Sequence, residues 1–563
     1  MSAVLMLVMG LSGMALGYFI YSKFIAEKIF RLSDDFQTPA HEFEDGVDFV
    51  PTNRYVLWGH HFTSVAGAAP IVGPAIAVIW GWVPAFLWVV LGTIFFAGIH
   101  DSGAIWASVR NRGRSVGALT GDVVGKRARS IFMIVIFLLL LMVNAVFAVV
   151  IAGLMMKFPS AVVPVWGAIA VALVIGQLIR RRIIGLGLVS VIGVVALYGL
   201  IFIGPSVPIQ MPDQVAGLSG NAVWILLLFG YAAIASLLPV WMLLQPRDYI
   251  NGLQLFIGLL ILYGAVVFLN PSIVAPGFNS NVPEGTPSLF PLLFVTIACG
   301  AISGFHGLVS SGTTSKQLNK ETDARFVGYF GSVGEGMLAL GAIVAATAGF
   351  ASLADWQAMY SSFGQGGVNA FVEGGAYIIH NGLGLNETTA ATLLTVMAAL
   401  FAGTTMDTGL RLQRYIFQEW GEIYQQSWMK SPAMATVLAV ATCLVLAFGA
   451  GADGSGGLLI WPLFGTTNQL LAGLTLLVVS VMLIRRRRPV WFTLVPLVFL
   501  LIVTVLALLA QLRSFYEAGD YFLLGLDIVV LIASVLVALE CTVAMKRLRE
   551  EMRSGKGFEE DSL

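Results

Sequence analysis

Ionisable side chains sit where the chain is otherwise apolar enough to lie in a bilayer: His60, His61, His100, Asp101, His306 and Glu335. Such groups cost at least ~2.5 kcal/mol each at mid-span by insertion scales, so a functional role is the default reading. Imidazole exchanges protons near neutral pH, and a carboxylate beside it tunes that exchange. His100-Asp101 therefore reads as a proton relay. The competing reading places the pair near the span's end, neutralised by Arg110 or Arg112. His60 and His61 are adjacent, so on a helix they point about 100° apart. One would face a pathway and the other a neighbouring helix. His306 lies in Gly300-Ala301-Ile302-Ser303-Gly304-Phe305-His306-Gly307, where small residues let another backbone approach closely.

Hydroxyls, amides and glycines extend this set. Ser64 and Gly67 follow the histidine pair in a run that ends Ala68-Ala69-Pro70, with Gly73-Pro74 beyond. Tyr231 and Ser236 occupy the breaker-rich stretch Phe229 to Pro239. With His60, His61, Ser303 and His306 they form the candidate substrate site. Ser310 and Ser311 join Asp101 and His100 as candidate coupling-ion groups, because hydroxyls and freed carbonyls hold Na⁺ without burying a full charge. Thr313 to Ser315 read better as a helix cap. Asp248, Asp323, Asp407, Arg411 and Asn468 are candidate gate or helix contacts. Asp407 and Arg411 have the i, i+4 spacing of a pair on one helical face.

These side chains need helices to carry them. The chain has 563 residues, 58% hydrophobic and only 11% charged. So few charges cannot clothe a soluble body of this length. Lys plus Arg and Asp plus Glu both number 31, so no net field attracts nucleic acid. The three cysteines, Cys299, Cys443 and Cys541, lie in apolar runs and suggest neither disulfides nor a metal site. The fold class is an all-α polytopic membrane protein of about 15 transmembrane helices at ~20 residues each. The expected spans are 2–22, 57–80, 83–109, 130–156, 161–179, 183–204, 222–245, 253–273, 289–312, 326–350, 387–406, 432–450, 459–484, 490–512 and 521–545. Alternation puts every Lys and Arg except Lys157 and Arg513 on one side, and that side is the cytoplasmic one. The N-terminus then lies outside and the C-terminus inside.

The expected organisation is an N-terminal helix at 1–22, a cytoplasmic linker at 23–56, a core at 57–406, additional helices at 407–545 and a tail at 546–563. Within the core, blocks 57–204 and 222–406 each hold five spans. Five is odd, so the second block runs opposite to the first. Each block opens on a Gly/Pro-interrupted span, 57–80 and 222–245, a pointer to a transporter's binding site. The 351–386 stretch is Gly-rich and polar, with a short re-entrant or surface helix expected. Trp461 to Gln469 reads as an amide pair in a Gly/Pro-broken span, used for interhelical hydrogen bonds. No Walker loop or HExxH motif is present, and no GxGxxG lies between a strand and a helix, so the chain is not expected to be an enzyme or to need a cofactor.

Several of these stretches together resemble the carbon starvation protein A (CstA) family of bacterial inner-membrane transporters. They are Gly59-His60-His61-Phe62, Leu238-Pro239-Val240-Trp241 with Pro246-Arg247-Asp248-Tyr249, and Thr296-Ile297-Ala298-Cys299-Gly300. Ser303 to His306, Ser310 to Thr314, Glu321 to Arg325, Thr404 to Thr408 with Arg411, and Trp461 to Leu471 complete the set. They run from about residue 55 to 475. The resemblance implies uptake of peptides or of pyruvate, with protons, and a five-plus-five inverted-repeat (LeuT/APC-like) core. His100 stands where the family has Gln, and Ser315 where it has Pro. The reading is a secondary active transporter importing peptides or pyruvate-like carboxylates by alternating access, coupled to a proton or Na⁺. The rivals are a nutrient-sensing receptor and a facilitative channel. A metalloenzyme using the buried histidines is disfavoured because no pair has ligand spacing. Partners are the small solute and the lipid bilayer, with a small accessory membrane protein to be tested for; the sequence sets no oligomeric state.

Overall fold

The computed structural model describes residues 1–46, 48–181, 185–239, 242–449, 451, 453–454 and 459–553. Arg182, Val240, Trp241 and the tail from 554 onward lie outside the described residues. Among the described residues the regular structure is helical apart from one short hairpin, β1 (Gln214–Val215) with β2 (Leu218–Ser219). Among the described residues, thirteen helices are long and apolar enough to cross a membrane, and one bent pair adds a fourteenth. The remaining expected span, 289–312, is two short helices separated by a break.

In chain order the helices are α1 (Ala3–Phe30), the bent pair α2 (Arg54–Ala66) and α3 (Ala69–Trp80), α4 (Trp82–Val109) and α5 (Lys126–Lys157). Next come α6 (Val162–Arg180), α7 (Leu186–Ile203), α8 (Gly220–Leu237) and α9 (Leu244–Leu269). The second broken element is α10 (Leu289–Thr296) and α11 (Gly304–Gly312), followed by α12 (Arg325–Ala348). After α13 (Leu353–Met359) and α14 (Gly367–Leu383) come α15 (Glu387–Ile423), α16 (Pro432–Gly449), α17 (Trp461–Arg485), α18 (Trp491–Ala518) and α19 (Tyr521–Arg553).

The breaks have local causes. Gly67 adopts φ 51°, ψ −162°, a conformation only glycine takes without strain. Pro70 then sits in the first turn of α3, where its missing N–H costs nothing. α2 and α3 meet at 48°. In the second break, Gly300 takes φ +90°. The two breaks face each other. A Cβ on Gly73 would lie 2.4 Å from Thr296 O, and one on Gly300 would lie 2.8 Å from Ala339 and 3.6 Å from Pro70. Backbones can approach this closely only where side chains are absent.

Around the breaks stand the most enclosed helices. The apolar windows of α12 and α17 are 89% and 94% buried, against 33% for α1 and α19. Long α5 and α15 pack along each other and form the wall opposite the breaks. The peripheral helices turn large apolar residues such as Leu260, Phe268 and Phe19 outward, which suits contact with lipid.

Four expectations need correction. α1 continues through two wide π turns to Phe30, so the linker starts at Arg31 and not at 23. The break expected within 222–245 is absent. α8 is continuous to Leu237, and Pro239 merely follows its end, while α9 starts afresh at Leu244. α17 is likewise unbroken, because Pro462 lies in its first turn and needs no N–H. The boundary at 406 falls inside α15, which is capped at its start by Asn386 and runs on to Ile423. The 351–386 stretch forms α13 and α14, and α14 packs against α3, α9, α12 and α15.

The packing predicts a contrast. Gly73→Val should lower the thermal unfolding midpoint by the equivalent of at least ~1–3 kcal/mol, as overpacking does. Gly230→Ala, in a part of α8 with nothing within 4 Å of the new methyl, should leave it unchanged. Unfolding of both variants in detergent checks this.

Candidate functional site

At the centre one carboxylate gathers three helices. Asp101 on α4 receives His100 Nδ1 at 2.8 Å on Oδ1. Its Oδ2 receives His306 Nδ1 from α11 at 2.9 Å and the Ser332 hydroxyl from α12 at 2.6 Å. His306 Nε2 lies 3.1 Å from Glu335 Oε2 on α12, at ion-pair distance but without hydrogen-bond alignment. All four ionisable groups are sealed from solvent. Residues 101, 306 and 335 thus form a continuous acid–imidazole–acid chain. The competing pairing of His100-Asp101 with arginine is not formed: Arg110 holds Glu321 at 2.5 and 2.6 Å, and Arg112 reaches Glu42. His100 Nε2, Glu335 Oε1 and the Ser310 hydroxyl are buried without a hydrogen-bond partner among the described residues.

The histidine pair on α2 splits as its geometry requires. His61 is buried, with Nδ1 2.8 Å from the Thr314 hydroxyl, and its ring lies against Gly331. His60 is partly exposed, and its carbonyl accepts the Ser64 hydroxyl at 2.8 Å. Ser64 therefore serves the helix it sits on.

The two breaks differ in what satisfies their main chain. Around 294–305 side chains do it. Trp88 and Trp461 donate to the carbonyls of Ile297 and Thr296, Thr93 to that of Gly300, and Gln469 to that of Phe294. Asn468 accepts from Phe305 N–H at 3.1 Å and exchanges hydrogen bonds with Ser303. Ser303 is thereby a packing contact, and Asn468 and Gln469 are the interhelical bonds expected of them. At the first break, no hydrogen bond reaches the N–H of Gly67 or Ala68 among the described residues. These donors open the positive N-terminal end of α3. The site is crowded on its other side, where a Cβ on Gly67 would meet Thr405 Oγ1 at 2.7 Å and Phe147 at 3.6 Å.

Val149, two residues beyond Phe147 on α5, begins the wall of a cavity of about 780 Å³ counting its open mouth. Asn221, Gly367 and Asn369 complete that wall, and Lys157 stands in it, paired with Glu373 at 2.5 Å. A Cβ on Gly367 would lie 3.4 Å from Ile76 of α3. The cavity thus stands above the break, on the face of Lys157. The opposite, basic face is closed. Trp58, Phe62, Phe256 and Phe330 stack around α2. Below them Arg54 approaches Asp323 at 4.0 Å and Glu321 is fully buried by Arg110. The linker joins this seal through Ser33 N–H to Glu321 and a bridge between Thr52 and Leu318. Ser311 bonds the carbonyl of Gly307 and accepts from Val116 N–H, so it closes the end of α11.

A second buried network lies between α8, α9 and α15. Arg247 donates to Asp407 and, at 2.6 Å, to Tyr231, whose hydroxyl donates to Asp407 at 2.9 Å. Asp248 is 3.4 Å from Arg247. The expected Asp407–Arg411 pair is not formed. Arg411 instead bonds the carbonyls of Ala235 and Leu238, and Arg414 that of Ser236. Free carbonyls at a helix C-terminus compete for the guanidinium, and Arg247 takes the carboxylate. Tyr231 and Ser236 therefore belong to this network, away from the first break. Ser332 was not singled out in sequence, and Arg247 and Glu321 were named only as members of longer runs. Arg247 carried a signal, a charged residue two places before an aromatic in a conspicuous Pro-Arg-Asp-Tyr run.

A multi-pass helical bundle with facing breaks and a buried acid–imidazole chain defines the class of membrane solute transporters. The chain belongs to the carbon starvation protein CstA family, whose model matches residues 2–364 and 350–507. The peptide transporter CstA of Campylobacter jejuni is 34% identical over 92% of this chain and 81% of its own length. The pyruvate/proton symporter BtsT of Escherichia coli is 32% identical over 92% of this chain and 84% of its own. Among solved structures, MhsT in complex with L-phenylalanine aligns with 87% of this chain and 99% of its own, at TM-score 0.49 and 11% identity.

Breaking a buried charge pair from one side costs about 3–5 kcal/mol, and losing one hydrogen bond to a charged group about 1.5–3. Asp101→Asn should therefore lower stability more than Ser332→Ala. Unfolding of both purified variants tests this, and equal midpoints would contradict it.

Proposed function

We propose that the protein is a secondary active transporter of the bacterial inner membrane, importing short peptides or pyruvate-like carboxylates with protons. The observation that carries this is the main-chain N–H pair at Gly67 and Ala68, unmatched among the described residues and within the bundle that holds the Asp101 chain. A solute carboxylate binds there, on the positive end of α3. His60, partly exposed one turn or two before the break, supplies a hydrogen bond. Asp101, His306 and Glu335 carry the coupling proton, and His100 orients Asp101. Of the two candidate ion hydroxyls, Ser311 is spent on Gly307 and Val116 while Ser310 has no partner among the described residues, so the separately imposed Na⁺ gradient decides between the ions.

The expected blocks, 57–204 and 222–406, are redrawn as two blocks of opposite direction at 54–269 and 289–485, with α6–α7 and α13–α14 as insertions. Matching partners support this division. α8 packs on α5 and α15 as α16 packs on α15 and α5, and α9 packs on α2 as α17 packs on α10. Asp248, Asp407 and Tyr231 hold the first block to α15, and Asp323 with Arg54 forms the cytoplasmic rim. The N-terminus lies outside, the basic face is cytoplasmic, and the cavity at Lys157 opens outward.

The test is uptake of labelled dipeptide and pyruvate into proteoliposomes, with pH and Na⁺ gradients imposed separately. The expected result is accumulation above the outside concentration with the pH gradient alone. Equilibration without accumulation would mean a facilitator, and no flux in folded protein would sink the reading. In Asp101→Asn, gradient-driven accumulation should fall at least tenfold while solute exchange across the membrane persists. Loss of exchange as well would place Asp101 in solute binding instead.

A further inference from the structure

The hairpin of α18 and α19 stands outside both blocks, yet it buries a carboxylate. Asp527 is fully buried and neither carboxyl oxygen has a hydrogen-bond partner among the described residues. Gln511 is 5% exposed, and neither its amide nitrogen nor its amide oxygen has a partner.

These residues occupy the same place in the hairpin. The buried stripe of α18 runs Leu497, Leu500, Thr504, Leu508, Gln511. That of α19 runs Leu523, Asp527, Val530, Ser534, Val537. Both repeat at three or four residues, so each stripe is one helical face turned inward. The turn at Gly519-Asp520 is tight, with Asp520 N–H on Phe515 O at 3.0 Å. Gln511 and Asp527 each lie about 10 Å from it at ~1.5 Å per residue. The helices pack on each other and on α17, so the two buried stripes reach a similar depth along the seam between the helices.

We propose that this seam is a proton-binding site, with the proton held between the Asp527 carboxyl and the Gln511 amide. An ionised carboxylate only accepts hydrogen bonds, and burying it unpaired is strongly unfavourable. One proton turns one oxygen into a donor. The acid O–H then donates to Gln511 Oε1, and Gln511 Nε2–H donates to the other Asp527 oxygen. All four orphaned atoms are satisfied by that single proton. A divalent ion would need several more oxygen ligands than one carboxyl and one amide supply. The surrounding charges do not intrude. Arg513 pairs with Glu517 at the exposed end of α18, Lys157 of α5 pairs with Glu373, and Arg485 lies at the far end of α17.

The test is infrared difference spectroscopy of the full chain in lipid nanodiscs, in H₂O and D₂O, with thermal unfolding alongside. A carboxylic-acid C=O band is expected in the wild type, lost in Asp527→Asn and shifted in Gln511→Ala. Asp527→Asn should melt at or above the wild-type temperature, because two amides pair without a proton. Asp527→Ala should melt lower. An unchanged carboxylic-acid band in Asp527→Asn would overturn the proposal. So would a Na⁺-induced rise in melting temperature that Asp527→Asn abolishes, which would assign the seam to a metal cation.

Discussion

The rest of the core depends on the Asp101 carboxylate. It gathers donors from its own helix, from α11 and from α12. A carboxylate so placed cannot be left with fewer partners without a large loss, which fixes the rotation of α4 against the lower half of the second break. That rotation brings His306 to Glu335 and holds Gly300 against Ala339 and Pro70. The facing breaks are therefore a consequence of polar satisfaction as much as of glycine. Neither would hold alone: glycines permit the close approach, and the carboxylate gives it a direction.

The two breaks divide the work of a transporter between them. The second has its main chain filled by tryptophan, amide and hydroxyl side chains, so it is part of the scaffold. The first leaves donors unmatched among the described residues, and in the proposed function it is the part that receives the solute. Closure on the basic face by stacked rings, by Arg110–Glu321 and by the linker leaves one side accessible and the other sealed. Movement between states must then exchange that seal for one at the cavity. The Arg247–Asp407 network, which ties α8 and α9 to α15, is the contact across which the blocks would move.

Much of this was legible in the sequence, and for physical reasons. Ionisable residues in apolar runs stand out because the bilayer makes them costly, and Asp101, His100 and His306 do meet. The run from Gly59 to Pro74 holds a true break because its glycine and proline lie in mid-span. Pro239 misled because the same residue that breaks a helix also commonly follows one. The break at 297–303 was hidden because its small residues read equally as a packing face, which Gly304 against Asn468 and Ala472 also is. Asp407 and Arg411 misled because i, i+4 spacing says nothing of a guanidinium 160 residues away. Asp527 went unmarked because a lone carboxyl near a span's end resembles an interfacial one until its burial is known.

The central claim is that the two faces open in turn about the breaks, and paired spin labels test it most directly. One pair, Tyr55→Cys with Thr322→Cys, spans the basic-face seal. The other, Asn221→Cys with Asn369→Cys, spans the cavity mouth. Distances would be measured in nanodiscs with and without solute at acidic and neutral pH. The account predicts that solute with protons lengthens the first distance and shortens the second in the same population. Two distances that stay fixed, or that change in the same direction, would contradict it.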